Sequence, residues 1–135
     1  MTAHPIEHER IDVYRLSIED VTRSFEMSQS LTGLHRHARN QWLRAAQSIP
    51  LNIAEGNDKR SLKDRARFLN IARGSALECA AIQDVLVTTK GIKVQDHVAM
   101  KAMLLPSRAQ SMMLTSITIT STAALSTSTA ALSRA

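Results

Sequence analysis

Hydrophobic residues recur along most of this chain every three or four positions, the spacing of a helix that buries one face. From about Ile11 to Ser30, Tyr14, Ile18, Val21 and Phe25 form such a stripe, with Glu19, Asp20, Arg23 and Glu26 mostly outside it. Leu31-Thr32-Gly33 interrupts the pattern, and Thr32 suits the N-cap of the next helix. From about Gly33 to Glu55 a seam of Leu34, Ala38, Gln41, Ala45, Ser48, Asn52 and Glu55 turns polar in its second half. Leu43, Ala46, Ile49, Ile53 and Ala54 add apolar surface beside it. Pro50 removes the bond to the Ala46 carbonyl, so a helix running through it is expected to bend. The apolar spacing continues past Pro50, which favours a bend over a break. Gly56 reads as the stop, with Asn57 and Asp58 as turn residues.

The third stretch has the clearest pattern. Ser61-Leu62-Lys63-Asp64 resembles a capping box with Asp in the fourth place. Phe68, Ala72, Ser75, Cys79, Ile82 and Leu86 then form one seam, and Leu62, Ala66, Leu69, Ala76 and Ala80 a second. Two seams suit a helix with two neighbours in a bundle. Gly74 joins Ala72, Ser75 and Ala76 in a small-residue patch that would admit another backbone, and Gly91 reads as the helix end. A fourth stretch from Val94 carries Val98, Met100, Met103, Leu104 and Leu105 before Pro106. The expected fold is all-α, an antiparallel up-and-down four-helix bundle over 11–105. An arm of residues 1–10 precedes it. Residues 106–135 follow, with seven Ser and six Thr and the heptapeptide Thr-Ser-Thr-Ala-Ala-Leu-Ser at 120–126 and 127–133. That segment reads either as more of helix four or as a low-complexity tail.

Composition supports the helical reading. The 135 residues include 4 Gly, 3 Pro and 3% aromatic residues, too few turn and ring residues for a β-domain of this size. One Cys excludes a disulfide framework and a cysteine-rich zinc site. No apolar run is long enough to span a membrane, and the N-terminal His4, Glu7, His8 and Glu9 do not resemble a signal peptide, so a cytoplasmic protein is expected. The net charge of +5 is unevenly spread. Residues 1–58 hold six basic and eight acidic side chains, whereas 59–108 hold ten basic and four acidic. Lys59, Arg60, Lys63, Arg65 and Arg67 form the core of the basic segment, opposed locally only by Asp64. Such a cluster meets phosphates or an acidic partner, or is simply a solvated helix face.

Candidate chemistry is scarce. His4 and His8 have helical ligand spacing but no third ligand nearby, and His35 and His37 would point apart on a helix. No phosphate loop and no nucleophile–base pair stand out, and Cys79 lies in an apolar seam. No catalytic residue, metal site or cofactor is expected. A hairpin of the second and third helices turning near Asp58 would set Asn52 opposite Arg67, Arg44 opposite Ser75 or Glu78, and Glu55 near Arg65 and Arg67. Arg44–Glu78 and Glu55–Arg67 ion pairs would follow. This polar set reads as a register-fixing network or as a ligand groove.

The run Gln41-Trp42-Leu43-Arg44-Ala45-Ala46-Gln47-Ser48-Ile49-Pro50-Leu51-Asn52-Ile53-Ala54-Glu55-Gly56 closely resembles the signature of the bacterial four helix bundle protein family, the 23S rRNA-intervening sequence proteins. The likeness continues through Asp64-Arg65-Ala66-Arg67-Phe68-Leu69 and Ile71-Ala72-Arg73-Gly74-Ser75-Ala76-Leu77-Glu78-Cys79, and Asp12-Val13-Tyr14 looks like the family's opening. The resemblance implies an up-and-down bundle assembling as a homopentameric ring, without an established enzymatic activity. It also marks Arg44, Ser48, Asn52, Glu55, Arg67, Arg73, Ser75 and Glu78 as signature polar residues. Trp42 and Gln47 depart from the family's usual aliphatic residues, and the Ser/Thr-rich end departs from its amphipathic fourth helix. The distantly similar accessory variability proteins of diversity-generating retroelements bind a reverse transcriptase and nucleic acid, which suggests such partners by analogy.

Two functions follow as expectations. One is a non-enzymatic accessory protein whose Lys59, Arg60, Lys63, Arg65, Arg67 and Arg73 contact RNA or DNA phosphates. With so few aromatic side chains, little base stacking is expected. The other is a structural oligomer or protein-interaction module, in which the basic patch serves solubility or docking on acidic groups.

Overall fold

A computed structural model describes residues 5–104. These form α1 (Pro5–Ser28), a single 3-10 turn (Gly33–His35), α2 (Arg36–Asp58), α3 (Leu62–Thr88) and α4 (Val94–Leu104). The fold is all-α. α2 packs most closely on α3, α1 packs on α2, and α4 touches both α3 and α1, the neighbour pattern of a four-helix bundle. The His4–His8 pair and the segment from Leu105 onward lie outside the described side chains.

α2 runs unbroken through Pro50, as the continuing apolar spacing implies, but its seam is displaced. Trp42, Ala45, Ala46, Ile49, Ile53 and Gly56 face inward, while Leu34 is 99% exposed and Glu55 is exposed. Nor does Gly56 stop the helix. The chain leaves at Lys59, whose N–H bonds the Gly56 carbonyl at 3.2 Å. Gly56 is instead a contact glycine: a Cβ there would lie 3.2 Å from the Phe68 Cβ and 3.4 Å from the Arg65 carbonyl. Thr32 precedes the 3-10 turn, and its side chain makes no capping bond.

α3 starts as its sequence predicts, with the Ser61 hydroxyl accepting from the Asp64 N–H at 3.4 Å and Asp64 placed favourably near the helix N-terminus. Ala72, Ser75, Cys79 and Leu86 are buried, and Gln83 joins them. Gly74 faces outward with nothing within 4 Å of a Cβ, so the small-residue patch admits no second backbone among the described residues. At the other end Gly91 is not the residue in the left-handed region; Lys90 is, at φ 60°. The Lys90 N–H bonds the Val87 carbonyl at 3.1 Å and the Gly91 N–H bonds the Leu86 carbonyl at 2.7 Å, which is a Schellman ending. Gly91 is needed for closeness: a Cβ there would meet Leu86 at 3.0 Å and His35 at 3.1 Å. Lys90→Gly is therefore expected to raise stability by about 1 kcal/mol, because it relieves a side chain held at positive φ. Urea denaturation of the two proteins checks this.

α1 departs most from its pattern. Tyr14, Ile18 and Phe25 are exposed, and only Val21 of that stripe packs on the core. The buried face is Ser17, Asp20, Ser24 and Ser28. Ser17 and Ser28 donate to the carbonyls of Tyr14 and Phe25 in their own helix, so their hydroxyls enter the interior already satisfied. α4 is fastened to α3 by polar bonds: Asp84 receives Lys101 at 2.8 Å and His97 at 2.9 Å. The Lys101 bond, with help from His97, holds the Asp84 carboxyl below its ordinary value. Of the fourth stretch, Met100 is buried whereas Val94 and Val98 are exposed.

Candidate functional site

The polar residues of α2 and α3 divide into a network between the helices and a basic surface at their turn. In the network, Asn52 donates its amide to the Ser48 carbonyl at 2.7 Å and to the Ser48 hydroxyl at 3.0 Å. The Ser75 hydroxyl lies 2.8 Å from that of Ser48 and 3.1 Å from the Ile71 carbonyl. A hydroxyl has a single proton, so when Ser75 donates to Ile71 it is Ser48 that donates across the interface. Ser48, Asn52 and Ser75 thus form one hydrogen-bonded chain in which the Ser48–Ser75 bond crosses from α2 to α3.

The register of α2 on α3 differs from the expected one. Ser48, not Arg44, faces Ser75, one helical turn further along α2. The cause is the later turn: α2 continues to Asp58 and α3 begins at Leu62. Arg44 and Glu78 are both exposed and form no ion pair with each other. Glu55 pairs with Lys59, its neighbour one turn on, at 3.3 Å, not with Arg67.

The basic surface is built around Phe68. The Lys59 ammonium lies 5.3 Å from the ring centroid and the Arg67 guanidinium 5.6 Å, both within cation–π range. Arg65 turns back and donates its Nε–H to the Lys59 carbonyl, closing the turn. Arg60, Lys63 and Arg67 are exposed and have no acidic partner among the described residues. Lys63 and Arg67 share a face of α3 at i, i+4, whereas the spacing of Arg73 turns it away from them. The six basic residues therefore differ in setting: Lys59 and Arg65 are occupied within the turn, Lys63 and Arg67 share an exposed face of α3, Arg60 is exposed before that helix, and Arg73 stands apart.

Among the described residues no three His, Cys, Asp or Glu side chains gather as metal ligands, and no described helix is long and apolar enough to cross a membrane. Cys79 is fully buried. Burial, aided by the charges of Asp20 and Glu78, pushes its thiol well above the ordinary value, so it is a poor nucleophile at neutral pH.

A second polar group was not foreseen from the sequence. Asp20, Ser24, Trp42 and Gln83 are buried with polar atoms that bond no other described residue. Burial alone raises the Asp20 carboxyl from 3.8 to about 6. The signal available was the helical spacing of Ser17, Ser24 and Ser28 around Asp20, which resembles an outer face.

A family model for 23S rRNA-intervening sequence proteins matches residues 9–112. The chain belongs to the 23S rRNA-intervening sequence protein family. The fold is also similar to the crystal structure of a protein of unknown function from the S23 ribosomal protein family of Bacteroides thetaiotaomicron VPI-5482. That likeness has a TM-score of 0.72 at 22% sequence identity, and it covers 79% of this chain and 96% of the other. No curated protein matches the chain. Within the family match lie the Ser48–Asn52–Ser75 network and the whole basic turn.

Proposed function

We propose that the protein is a non-enzymatic accessory protein that holds nucleic acid by its phosphates at the α2–α3 turn and works as a homo-oligomer, with the family's pentamer as the expected assembly. The observation that carries this reading is the trio Arg60, Lys63 and Arg67, each exposed at or just after the α2–α3 turn and none in an ion pair with a described acid. Of the nearby carboxylates, Glu55 pairs with Lys59, whereas Asp58 and Asp64 are exposed and form no ion pair with the trio. Because the Phe68 ring already lies beneath two cations, the surface offers charge and little stacking, which favours backbone contact without sequence readout. The family is named for 23S rRNA, so a 23S rRNA fragment is the first probe.

Reversing the trio together (Arg60→Glu, Lys63→Glu, Arg67→Glu) is expected to weaken binding of that RNA by at least about a hundredfold at low salt. Helix content by circular dichroism should be unchanged, because all three side chains are exposed. Undiminished binding would refute the assignment. Self-association has a separate support: Ile71 and Val85 are exposed on one face of α3, with Gly74, Glu78 and Ala81 between them. Light-scattering mass with and without RNA measures the assembly. A protein-interaction role, for instance with a reverse transcriptase, gains ground if the charge-reversed protein still captures that partner but no RNA.

A further inference from the structure

α1 carries a repeat that its own bundle leaves facing outward. Ile11-Asp12, Ile18-Glu19 and Phe25-Glu26 are three apolar–acidic pairs at seven-residue intervals. All six side chains are exposed, and Tyr14 joins the apolar row. A sevenfold interval keeps each row on one face of a helix, so an apolar stripe runs beside an acidic edge. Asp12, Glu19 and Glu26 form no ion pair with a described residue. A monomer rarely leaves a continuous apolar stripe of this length in water.

α2 presents the complementary surface. No Asp or Glu occurs between Glu26 and Glu55. From Arg36 to Gln47 the exposed residues are Arg36, His37, Asn40, Gln41, Arg44 and Gln47, none acidic and none apolar. Leu51, 65% exposed, lies one turn after Gln47. Arg36 and Arg44 likewise form no ion pair with a described residue. At the helical rise, Glu19 and Glu26 are about 10 Å apart along α1, and Arg36 and Arg44 about 12 Å apart along α2.

We propose that the outer face of α1 docks antiparallel on the outer face of α2 in a second copy of this chain. The inference rests on the homo-oligomer reading and assigns its contact. Glu26 then meets the partner's Arg36, and Glu19 meets the partner's Arg44. The same register sets Ile11 and Tyr14 beside the partner's Leu51. A parallel approach could match the charges but would leave Leu51 without an apolar neighbour. Arg15 and Arg23, the basic residues of this stretch of α1, fall against neutral side chains, the partner's Gln47 and the partner's Asn40. Burial of the stripe supplies the attraction, and the two ion pairs fix register and direction. Each copy gives its α1 face to one neighbour and offers its α2 face to another, so the contact is heterologous and repeats through the assembly.

Charge exchange tests the contact in the full chain without RNA. Reversing the acids (Glu19→Lys, Glu26→Lys) or the bases (Arg36→Glu, Arg44→Glu) should raise the concentration of half-dissociation at least about tenfold, read by light scattering. Both reversals combined in one chain should restore the parent's assembly. Helix content by circular dichroism should stay the same throughout, since all four side chains are exposed. Cross-linking answers independently if a reversed chain fails to fold. In a Cys79→Ala background, co-expressed Thr22→Cys and Asn40→Cys chains should be joined as heterodimers by a short bis-maleimide. Thr22→Cys chains co-expressed with Ala81→Cys chains, whose reporter lies on α3, should not be. Preferred joining to Ala81→Cys overturns this contact and leaves the homo-oligomer reading standing. So does an assembly that neither reversal weakens, or a folded combined chain that stays dissociated. A monomeric mass of the parent at every concentration overturns both.

Discussion

Trp42→Ala is expected to lower the folding free energy by about 3–5 kcal/mol, the usual cost of emptying a large aromatic site in a core. Trp42 is 0% exposed and lies in the central cluster with Ala46, Ile49, Ile53, Cys79 and Leu86. A small domain holds only about 5–15 kcal/mol in total, so the variant should be partly unfolded near body temperature. Trp42→Phe should behave quite differently. The smaller ring gives up some volume, but it also removes an indole N–H that bonds no other described residue, and the cost of burying an unpartnered donor goes with it. A loss below about 1.5 kcal/mol is expected for that substitution. Urea denaturation followed by circular dichroism measures both. An alanine variant within about 1 kcal/mol of the parent would mean that Trp42 does not fill the core.

Asp20→Asn is expected to stabilise the protein at pH 7 and to have no such effect at pH 4. The folded carboxyl titrates at about 6 against 3.8. The folded state therefore holds its proton over a range in which the unfolded state has lost it. For such a group stability is fullest below the unfolded value and falls as pH rises through the folded one. A gap of about two units corresponds to at most about 3 kcal/mol at pH 7. Asp84 acts in the opposite sense. Its lowered value adds stability above the ordinary carboxylate range, which is lost in acid. The difference between parent and Asp20→Asn isolates Asp20 from such effects. Melting curves of the pair from pH 4 to pH 8 should coincide at the acid end and separate above it. Parallel curves would mean that Asp20 is solvated in the folded protein.

Much of α2 and α3 was legible in the sequence because apolar spacing and a cap act locally. Ser61 and Asp64 start α3, its two-seam pattern holds Ala72, Ser75, Cys79 and Leu86, and the polar half of the α2 seam becomes the Ser48–Asn52–Ser75 network. The errors share a physical origin in contacts that spacing does not encode. Gly56 and Gly91 look like helix stops, yet each is there because another side chain presses on it. The left-handed residue at the end of α3 is a lysine, which propensity would not choose. The face of α1 was misread because serines that bond their own helix behave as small neutral residues and enter a core at little cost. The Arg44–Glu78 and Glu55–Arg67 pairings failed because a turn placed a few residues later moves every facing pair by a helical turn. Of the basic residues, the sequence grouped six; the folded turn divides them, since Arg65 and Lys59 serve the turn itself.

Binding of a 23S rRNA fragment as a function of salt tests the central claim most directly. If Arg60, Lys63 and Arg67 hold phosphates, each chain neutralises about three of them, and the logarithm of affinity should fall linearly with the logarithm of salt with a slope of about −2 to −3 per bound chain. The slope should approach zero when the trio is reversed, and a change of RNA sequence should leave it unaltered. An affinity that does not change with salt would contradict the account.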